Sequence, residues 1–251
     1  MKKINILFAL AAALVAVDAV AQGYTRIQFN FAPQVMEIKD APSEAGDVDT
    51  GWEGAKLSTM GFGLGFVKGI ALSQSTPLFL EIGGNLTFLS KSDEETKKET
   101  YYSKTYEWTT EAKYKFLNLA VPVNFAYRVN VADAFSIQPF VGVNMKFNLV
   151  GKVKYTETED GESESYDVGF FTKEKFEGEE QPYYFGKDDD NKAKRFQLGL
   201  NVGCGFNIAK RLYVGYTFQP DLVKYAECYG GDNKTYKVKT RSNVITLGFN
   251  F

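Results

Sequence analysis

Hydrophobic and polar residues alternate with a period of two along several segments of the chain. In "RFQLGLNVGCGFNI" every second residue from Phe196 to Ile208 is apolar, and the residues between them are Gln, Gly and Asn. A helix would mix these two sets around its surface, whereas an extended strand places them on opposite sides. Seven more segments follow this pattern: "RIQFNF", "MGFGLGF", "LFLEIGGNLTF", "FLNLAVPVNFAYR", "FSIQPFVGVNMKFNL", "LYVGYTF" and "TRSNVITLGFNF". The pattern therefore predicts eight strands.

The connections between the predicted strands alternate in length. Those around residues 75, 132 and 210 are short, and those over 37–56, 92–112, 151–194 and 226–240 are long and polar. Even strand numbers, with short turns at one end and long loops at the other, are typical of outer-membrane barrels. The sequence therefore predicts an all-β fold, an eight-stranded antiparallel up-and-down transmembrane β-barrel with short periplasmic turns and four long external loops. Residues 22–251 would form this one domain.

A soluble eight-stranded barrel, such as a lipocalin, also has alternating strands. The polar face separates the two folds, because a water-facing surface would carry Lys, Glu and Thr. Here the polar face is mostly Gly, Asn, Gln and Ser. Such side chains fit the crowded interior of an eight-stranded barrel, and the bulky apolar face fits contact with lipid. We therefore expect the apolar face to be outside and the polar face to line the lumen.

The first residues have the features of a secretory signal. Two lysines precede an apolar run that ends at Val17, and Ala19-Val20-Ala21 offers small residues for cleavage. An anchoring helix would need about 20 apolar residues, and Asp18 interrupts the run too early. We expect a signal peptide over 1–21, cleavage after Ala21, and a mature protein in the cell outer membrane.

Charge and the lack of histidine argue against two classes of function. The whole chain has a formal charge of -2, and removal of Lys2, Lys3 and Asp18 with the signal makes it one unit more negative. This balance gives no basic footprint for nucleic acid. The chain contains no histidine, the residue used most often for acid–base catalysis near neutral pH. We expect neither nucleic-acid binding nor enzymatic activity.

No cysteine or acidic motif predicts a bound metal. Cys204 lies on an apolar strand face and Cys228 in a connection, and we expect both thiols to be free. Asp188, Asp189 and Asp190 lack the alternating spacing, the glycine and the distal glutamate of a calcium loop. They are interpreted as part of a solvated acidic loop. The sequence predicts no catalytic, cofactor-binding or metal residues and no cofactor.

Three charged residues fall on the lumen side near the predicted periplasmic end. Arg26 begins the first strand, Glu81 begins the third, and Arg128 ends the fourth. Buried charges require partners, so we predict a lumenal charge network of these residues, with Glu81 and Arg128 on neighbouring strands. Lys146 lies further out and is expected to join asparagines such as Asn144 and Asn201. A lumen filled in this way would leave no open pore.

The long connections carry aromatic residues, Tyr101, Tyr102, Tyr106 and Trp108 in the second and Tyr183, Tyr184 and Phe185 in the third. They would pack on one another if the strands continue beyond the membrane. Alternatively, they would form a contact surface for a protein or a glycan, because loops on rigid scaffolds often carry function. Packing is the simpler expectation.

The segment "TRSNVITLGFNF" predicts the closing strand of the barrel. It would pair with the first strand, so that neither leaves an open edge in lipid. Leu247, Phe249 and Phe251 share the predicted lipid-facing side. They resemble a C-terminal assembly signal of the kind that the barrel-assembly machinery reads during insertion.

The strand "FLNLAVPVNFAYRV", with Pro122 as its most particular residue, resembles the outer-membrane β-barrel family of the Bacteroides group that includes PorT-like proteins and OmpA-like barrel domains. "IQPFVGVNM", "LNVGCGFNIAKRLYVGYTF" and "ITLGFNF" are similar to the strands that follow in that family. The resemblance implies a membrane barrel and, for some relatives, a part in protein secretion across the outer membrane. It implies no particular site residues.

The expected function is therefore that of an integral outer-membrane barrel with a side-chain-filled lumen and a structural or interaction role through its external loops. An accessory component of an outer-membrane protein-secretion system is one alternative, and a narrow channel or small-ligand transporter is another. The expected partners are outer-membrane lipid, the barrel-assembly machinery and a protein or glycan at the external loops.

Overall fold

The computed structural model describes residues 23–39, 55–73, 75–101, 104–159, 162–180, 182–185, 192–229 and 235–251, without the side chains of 99–101 and 104–106. The predicted signal peptide over 1–21, the acidic run Asp188–Asp190 and Tyr102 lie outside the described residues. The described strands are β1 (Tyr24–Phe31), β2 (Gln34–Lys39), β3 (Lys56–Ala71), β4 (Leu78–Tyr101), β5 (Lys104–Tyr127), β6 (Val129–Ala132), β7 (Phe135–Glu159), β8 (Glu162–Gly169), β9 (Lys175–Phe176), β10 (Glu179–Glu180), β11 (Phe196–Ile208), β12 (Leu212–Pro220), β13 (Ala226–Tyr229) and β14 (Thr235–Asn250). None of these described residues forms a helix with the length and hydropathy needed to cross a bilayer.

The strands close into a ring of eight antiparallel members. β1 and β2 count as one member, because both pair with β3 on one side and with β14 on the other. From there the ring runs through β3, β4, β5, β7, β11, β12 and β14. The seam between β1 and β14 runs from Arg26↔Asn250 to Phe31↔Ile245. This ring confirms the predicted eight-stranded up-and-down barrel.

The barrel is polar inside and apolar outside. In β1, Arg26, Gln28 and Asn30 are buried, while Ile27 is 57% exposed and Phe29 is 43% exposed. Across the middle of the barrel, the outward side chains of the other strands are apolar, and most of them are exposed in the same way. A water-soluble barrel would have the reverse pattern, because water drives apolar side chains into the interior. The structure therefore confirms the predicted faces and excludes the soluble alternative.

The apolar outer surface forms a belt of limited height. On β5 the outward residues from Leu117 to Tyr127 are apolar. They span about ten residue steps, or roughly 34 Å along the strand, which is about 26 Å of height at the tilt of about 40° typical of membrane barrels. The apolar band of such barrels is about 25 Å tall. The belt is therefore as tall as a bilayer core requires, and charged residues begin at Lys115.

The shorter connections lie together at one end of the barrel. Between β11 and β12, Ala209 and Lys210 have φ angles of 50° and 64°. The backbone N–H of Arg211 donates to the carbonyl of Ile208 at 3.2 Å. Two successive positive φ angles match a type I′ turn, whose twist fits that of antiparallel strands. The predicted turn around residue 132 contains β6, which pairs with β7.

At the opposite end, three connections are hairpins where the sequence predicted loops. β4 and β5 stay paired from Leu78↔Tyr127 to Tyr101↔Lys104, so the described part of 92–112 is paired strand. β8 pairs with the outer part of β7, and β13 pairs with β14. In 92–112 and in β8, Thr, Ser, Lys and Glu lie on both faces, so these segments lack the apolar alternation by which a strand is recognised. The β13–β14 hairpin does alternate, with Ala226, Cys228, Tyr236 and Val238 buried, but β13 is only four residues long. Most of the predicted loop over 37–56 lies outside the described residues.

Candidate functional site

A hydrogen-bonded network around Glu81 fills the lumen at the short-turn end. Arg26 Nη2 donates to Glu81 Oε1 at 3.1 Å, and the two side chains are 4% and 1% exposed. The Tyr24 hydroxyl also donates to Glu81. Gln138 Nε2 donates to the same carboxylate at 2.9 Å. The Arg26 guanidinium is therefore neutralised by a carboxylate that has two further donors, as the burial of a charge pair requires.

Arg128 lies at the rim of this network. Its Nε and Nη2 atoms donate to Gln138 Oε1 at 3.2 and 3.1 Å. The guanidinium carbon lies 4.5 Å from the centre of the Tyr24 ring. Of the three predicted residues, Arg26 and Glu81 meet directly. Arg128 makes no salt bridge with Glu81 and reaches it through Gln138, because Glu81 is already paired with Arg26 from β1.

Glycines make room for the large side chains of the lumen. The Arg26 guanidinium lies over the ring of Tyr213, 3.6 Å from its centre. The same ring lies across two glycines, so a Cβ atom would be 2.2 Å from it at Gly205 and 2.7 Å from it at Gly215. Any larger residue at these two positions would displace Tyr213. This explains why glycine occupies the lumen face of β11 and β12 here.

A second buried ion pair lies further out in the lumen. Lys146 Nζ and Asp221 Oδ2 are 2.6 Å apart, with side chains 8% and 1% exposed. Thr240 also donates to Asp221. The prediction that Lys146 joins Asn144 and Asn201 is not met, since Asn201 donates instead to Asn124 Oδ1 at 2.9 Å. An available carboxylate is the stronger partner for an ammonium group than a neutral amide.

A small polar cavity separates the two ion pairs. Its volume is about 70 Å³, and Arg26, Asn118, Asn144 and Asn201 are among the residues that line it. Each of these four has a buried atom without a hydrogen-bond partner, namely Arg26 Nη1 and one Oδ1 atom on each asparagine. At about 10–15 Å³ of such volume for each water, the cavity has room for a few water molecules.

Apolar side chains close over the lumen at the hairpin end. Inward residues of β2, β3, β4, β5, β7 and β14 share one cluster with the segment that follows β8. Phe170 is fully buried at its centre. It stacks on Tyr184 with ring centres 4.3 Å apart and meets Phe116 edge-on at 4.9 Å. We call this set the outer cluster: Met36, Ile38, Leu57, Leu89, Tyr114, Phe116, Val153, Val168, Phe170, Phe171, Phe185, Ala193, Tyr225, Ala226, Cys228, Tyr236 and Val238.

Two roles were predicted for the aromatic residues of the long connections, packing and an exposed contact surface. The outer cluster shows which role applies to the aromatics that it contains. Phe185 is buried in it, and Tyr184 packs against it. Tyr183 lies near Lys173, whose Nζ is 5.6 Å from the ring centre. Trp108 is half-buried, and the side chains of Tyr101 and Tyr106 lie outside the described part. Packing is therefore the outcome for Tyr184 and Phe185.

Burial in the outer cluster also affects ionisable groups. It raises the pKa of the Tyr225 phenol well above its ordinary value and raises the pKa of the Cys228 thiol to about 11.

Both cysteines are free. In the described part of the chain, no group of three or more Cys, Asp or Glu side chains could hold a metal ion.

Sequence reasoning missed Tyr24, Gln138, Tyr213 and Asp221 as members of the lumen networks. The alternation along the chain could have identified all four. Three of them lie on the inward side of their strands, and Asp221 continues the inward side just past the end of its strand. Tyr24 shares the parity of Arg26, and Asp221 continues the inward series of β12 one position beyond Pro220. Two of the four are tyrosines, which are easily assigned to the apolar face.

The predicted C-terminal residues lie on the outer wall beside the seam. Leu247 and Phe249 pair with Phe29 and Ile27 of β1. Phe251 is 71% exposed, and its ring centre lies 5.0 Å from that of Phe249. The three side chains therefore share the lipid-facing surface, and their role in assembly stays a prediction.

A comparison of the sequence with known families agrees with the outward apolar belt, the polar lumen and the closed ring. The profile of the outer membrane protein beta-barrel domain matches residues 6–251. The chain belongs to this family. Membership places the belt in the lipid of the outer membrane, the short turns at the periplasmic side and the hairpins outside the cell.

A comparison with solved structures finds similarity to outer-membrane proteins. They include Ail, the attachment invasion locus protein of Yersinia pestis, in complex with the heparin analogue sucrose octasulfate, at 12% identity and a TM-score of 0.38 over 91% of this chain and 99% of that one. Neisserial surface protein A (NspA) has 9% identity and a TM-score of 0.37 over 91% of this chain and 97% of that one. The transport unit of the autotransporter AIDA-I from Escherichia coli has 11% identity and a TM-score of 0.32 over 98% and 95%. No curated protein matches the sequence.

Proposed function

We propose that this outer-membrane barrel is closed to solutes and serves to hold an external β-sheet where other molecules can contact it. Two ion-pair networks and the outer cluster support the closed lumen. The cavity between them has room for a few water molecules only, and inward residues of β3, β4, β5, β7 and β14 meet in the outer cluster above it. A channel would need a continuous path through both layers.

The main support for the proposal is a β-sheet that extends beyond the apolar belt. β4 continues to Tyr101, about 13 residues and roughly 40 Å along the strand beyond Phe88 in the apolar belt. With β5, β7 and β8 it forms a four-stranded sheet, which we call the outer sheet (91–98, 107–115, 152–159 and 162–169). A barrel that needed only to stay in the membrane would end its strands near the belt.

The outward face of the outer sheet presents a row of hydroxyl groups. Thr96 and Thr109 are hydrogen-bonded at 3.1 Å, and Thr158 and Ser163 at 2.8 Å. Thr109 and Thr158 are directly opposite in the β5–β7 ladder, so the row crosses all four strands. Hydroxyls both donate and accept hydrogen bonds, and a rigid row of them suits a polar partner such as a protein surface or a glycan.

Site-specific photo-crosslinking in intact cells tests this proposal. A photoreactive residue at Thr109 is expected to capture a macromolecule outside the cell, whereas the same residue at Leu200 on the lipid-facing belt is expected to capture none. Replacement of 94–111 by a two-residue turn should leave a folded barrel and abolish the same adducts when the probe is moved to Thr158. Adducts at Thr158 that persist unchanged in the shortened protein, or an equal yield at Leu200, would contradict the contact role.

We also propose, from the sequence resemblance, that the chain belongs with the PorT-like branch and is made with a signal peptide cleaved after Ala21. A role as an accessory of protein secretion would follow from that branch. Co-purification with secretion components supports it, and normal secretion by a deletion strain contradicts it. The lack of histidine supports a non-enzymatic role, for which unchanged membrane lipids and proteins in the deletion strain are the test.

A further inference from the structure

Four lysines form a compact group on the outward face of the outer sheet. Lys115 and Lys152 are directly opposite each other in the β5–β7 ladder, and Lys113 and Lys154 are opposite in the next outward row. Opposed residues lie about 5 Å apart across a ladder and about 7 Å apart along a strand. Four ammonium groups therefore share a small area, which we call the lysine quartet.

The lysine quartet has more positive charge than its neighbours neutralise. Lys113 Nζ lies 2.6 Å from Glu111, and Lys152 Nζ lies 2.5 Å from Asp167. Among the described residues, Lys115 and Lys154 form no salt bridge, and both are exposed. Like charges directly opposite each other destabilise a sheet, so the arrangement has a cost in the free protein that a bound anion would remove.

The height of the quartet indicates which anion fits. Lys115 is the next outward residue beyond Leu117 on β5, and Lys152 is the next beyond Val150 on β7. Both residues thus lie about 7 Å along the strand, and about 5 Å in height, beyond the apolar belt. Lysine stems can follow the apolar wall while the ammonium reaches the interface. The four charges are therefore at the level of lipid headgroups.

The space beside the lysines is a shallow groove. It has a volume of about 370 Å³. Besides the quartet, its wall consists of Ser165, Tyr166, Asp167, Glu174, Lys175 and Phe176, so five lysines and two carboxylates line it. A headgroup phosphate placed there could accept from several ammonium groups and the serine hydroxyl, while its acyl chains continue down the belt below Leu117 and Val150. A free anion or an acidic peptide would contact the ammonium groups but would make no contact with the apolar belt.

We propose that the lysine quartet binds the phosphate of an anionic lipid headgroup in the outer leaflet. A lipid bound at this site holds one side of the barrel next to phosphorylated headgroups. It also fixes the height of the outer sheet above the membrane. It is independent of the contact role proposed above, because the quartet lies two rows below the hydroxyl row and requires only the membrane position of the barrel.

Native mass spectrometry of the detergent-purified barrel with EDTA tests the site. The probes are dioleoyl phosphatidic acid, dioleoyl phosphatidylcholine and inorganic phosphate. Wild type is expected to retain phosphatidic acid preferentially. The double variant Lys115→Gln and Lys154→Gln is expected to lose about 25-fold in affinity, since one lysine near an anionic surface is worth about fivefold. The control Lys97→Gln and Lys98→Gln changes two lysines of the same sheet far from the belt and should bind as wild type.

Three results would overturn the proposal. The first is equal retention of phosphatidic acid by the double variant and wild type while both show the gel mobility of the folded barrel. The second is equal retention of phosphatidylcholine and phosphatidic acid by wild type. The third is displacement of phosphatidic acid by inorganic phosphate at equal concentration, which would show a site for a free anion in place of a lipid.

Discussion

Removal of the charge on Glu81 should destabilise the barrel far more than removal of a charge on its surface. Glu81→Gln keeps the size of the side chain and an acceptor oxygen. It leaves the buried Arg26 guanidinium, 3.1 Å away, without a counter-charge. Glu95→Gln is the matched control, because Glu95 lies 3.4 Å from Lys97 in a pair whose side chains are 70% and 69% exposed.

The expected magnitudes differ because the two pairs differ in burial. Breaking a buried pair leaves an uncompensated charge and costs about 3–5 kcal/mol, whereas an exposed pair contributes about 0–1 kcal/mol. Replacing both partners together, with Arg26→Met and Glu81→Gln, removes the orphaned charge. This double variant should recover much of the loss, since uncharged replacements of buried pairs are often close to neutral.

The assay is urea unfolding of the protein in phosphatidylcholine vesicles, followed by the gel mobility of the folded barrel. Glu81→Gln should unfold at much lower urea than wild type, and Glu95→Gln within error of wild type. A Glu81→Gln variant no less stable than Glu95→Gln would show that the buried charge of Arg26 does not depend on Glu81. A double variant that is less stable than Glu81→Gln would show that the pair does not act as a unit.

Three further outcomes follow from the same structure. Phe170→Ala should cost about 3–5 kcal/mol in the same urea assay through loss of the centre of the outer cluster, whereas Phe170→Leu should cost less than about 2 kcal/mol; equal losses would mean that the cluster is not packed around this ring. At pH 8 the Cys228 thiol, with its pKa raised to about 11, should be ionised in about one molecule in a thousand, so iodoacetamide should modify it much faster in the unfolded protein, and equal rates would contradict its burial. Phe251→Ser should lower the amount of folded barrel in the outer membrane, measured on blots of membrane fractions, while the lumen-side change Asn250→Ser should have less effect; unchanged levels for Phe251→Ser would reject the assembly signal.

The barrel could be predicted from the sequence because lipid and lumen impose opposite chemistry on alternate residues. Ile27 and Phe29 face outward, and Arg26 and Gln28 face inward. Since the side-chain period is two, one correctly placed residue fixes the facing of its strand up to the next bulge, such as the one in β7 opposite Leu117 and Asn118. This rule gave the eight strands, the facing of Glu81 and the position of Leu247 and Phe249 on the outer wall.

The partners of the buried charges could not be predicted from that rule. The alternation predicts that Glu81 points inward. It does not predict the partners of Glu81, because an eight-stranded barrel is narrow enough for side chains to meet across it. Arg26 on β1 and Gln138 on β7 both reach Glu81 on β4, although neither strand is paired with β4. The β4–β5 and β7–β8 hairpins were missed for a different reason, because a strand with polar residues on both faces has no apolar side by which to recognise it.

Single-channel recording in planar bilayers tests directly whether side chains close the lumen of this outer-membrane barrel. The protein is inserted into a phosphatidylcholine bilayer in 1 M KCl, and its insertion is verified by recovery of the folded band from the membrane. We expect no stepwise current at moderate voltages, because the network around Glu81 and the outer cluster block the path at two levels. Regular conductance steps that scale with the number of inserted barrels would contradict it.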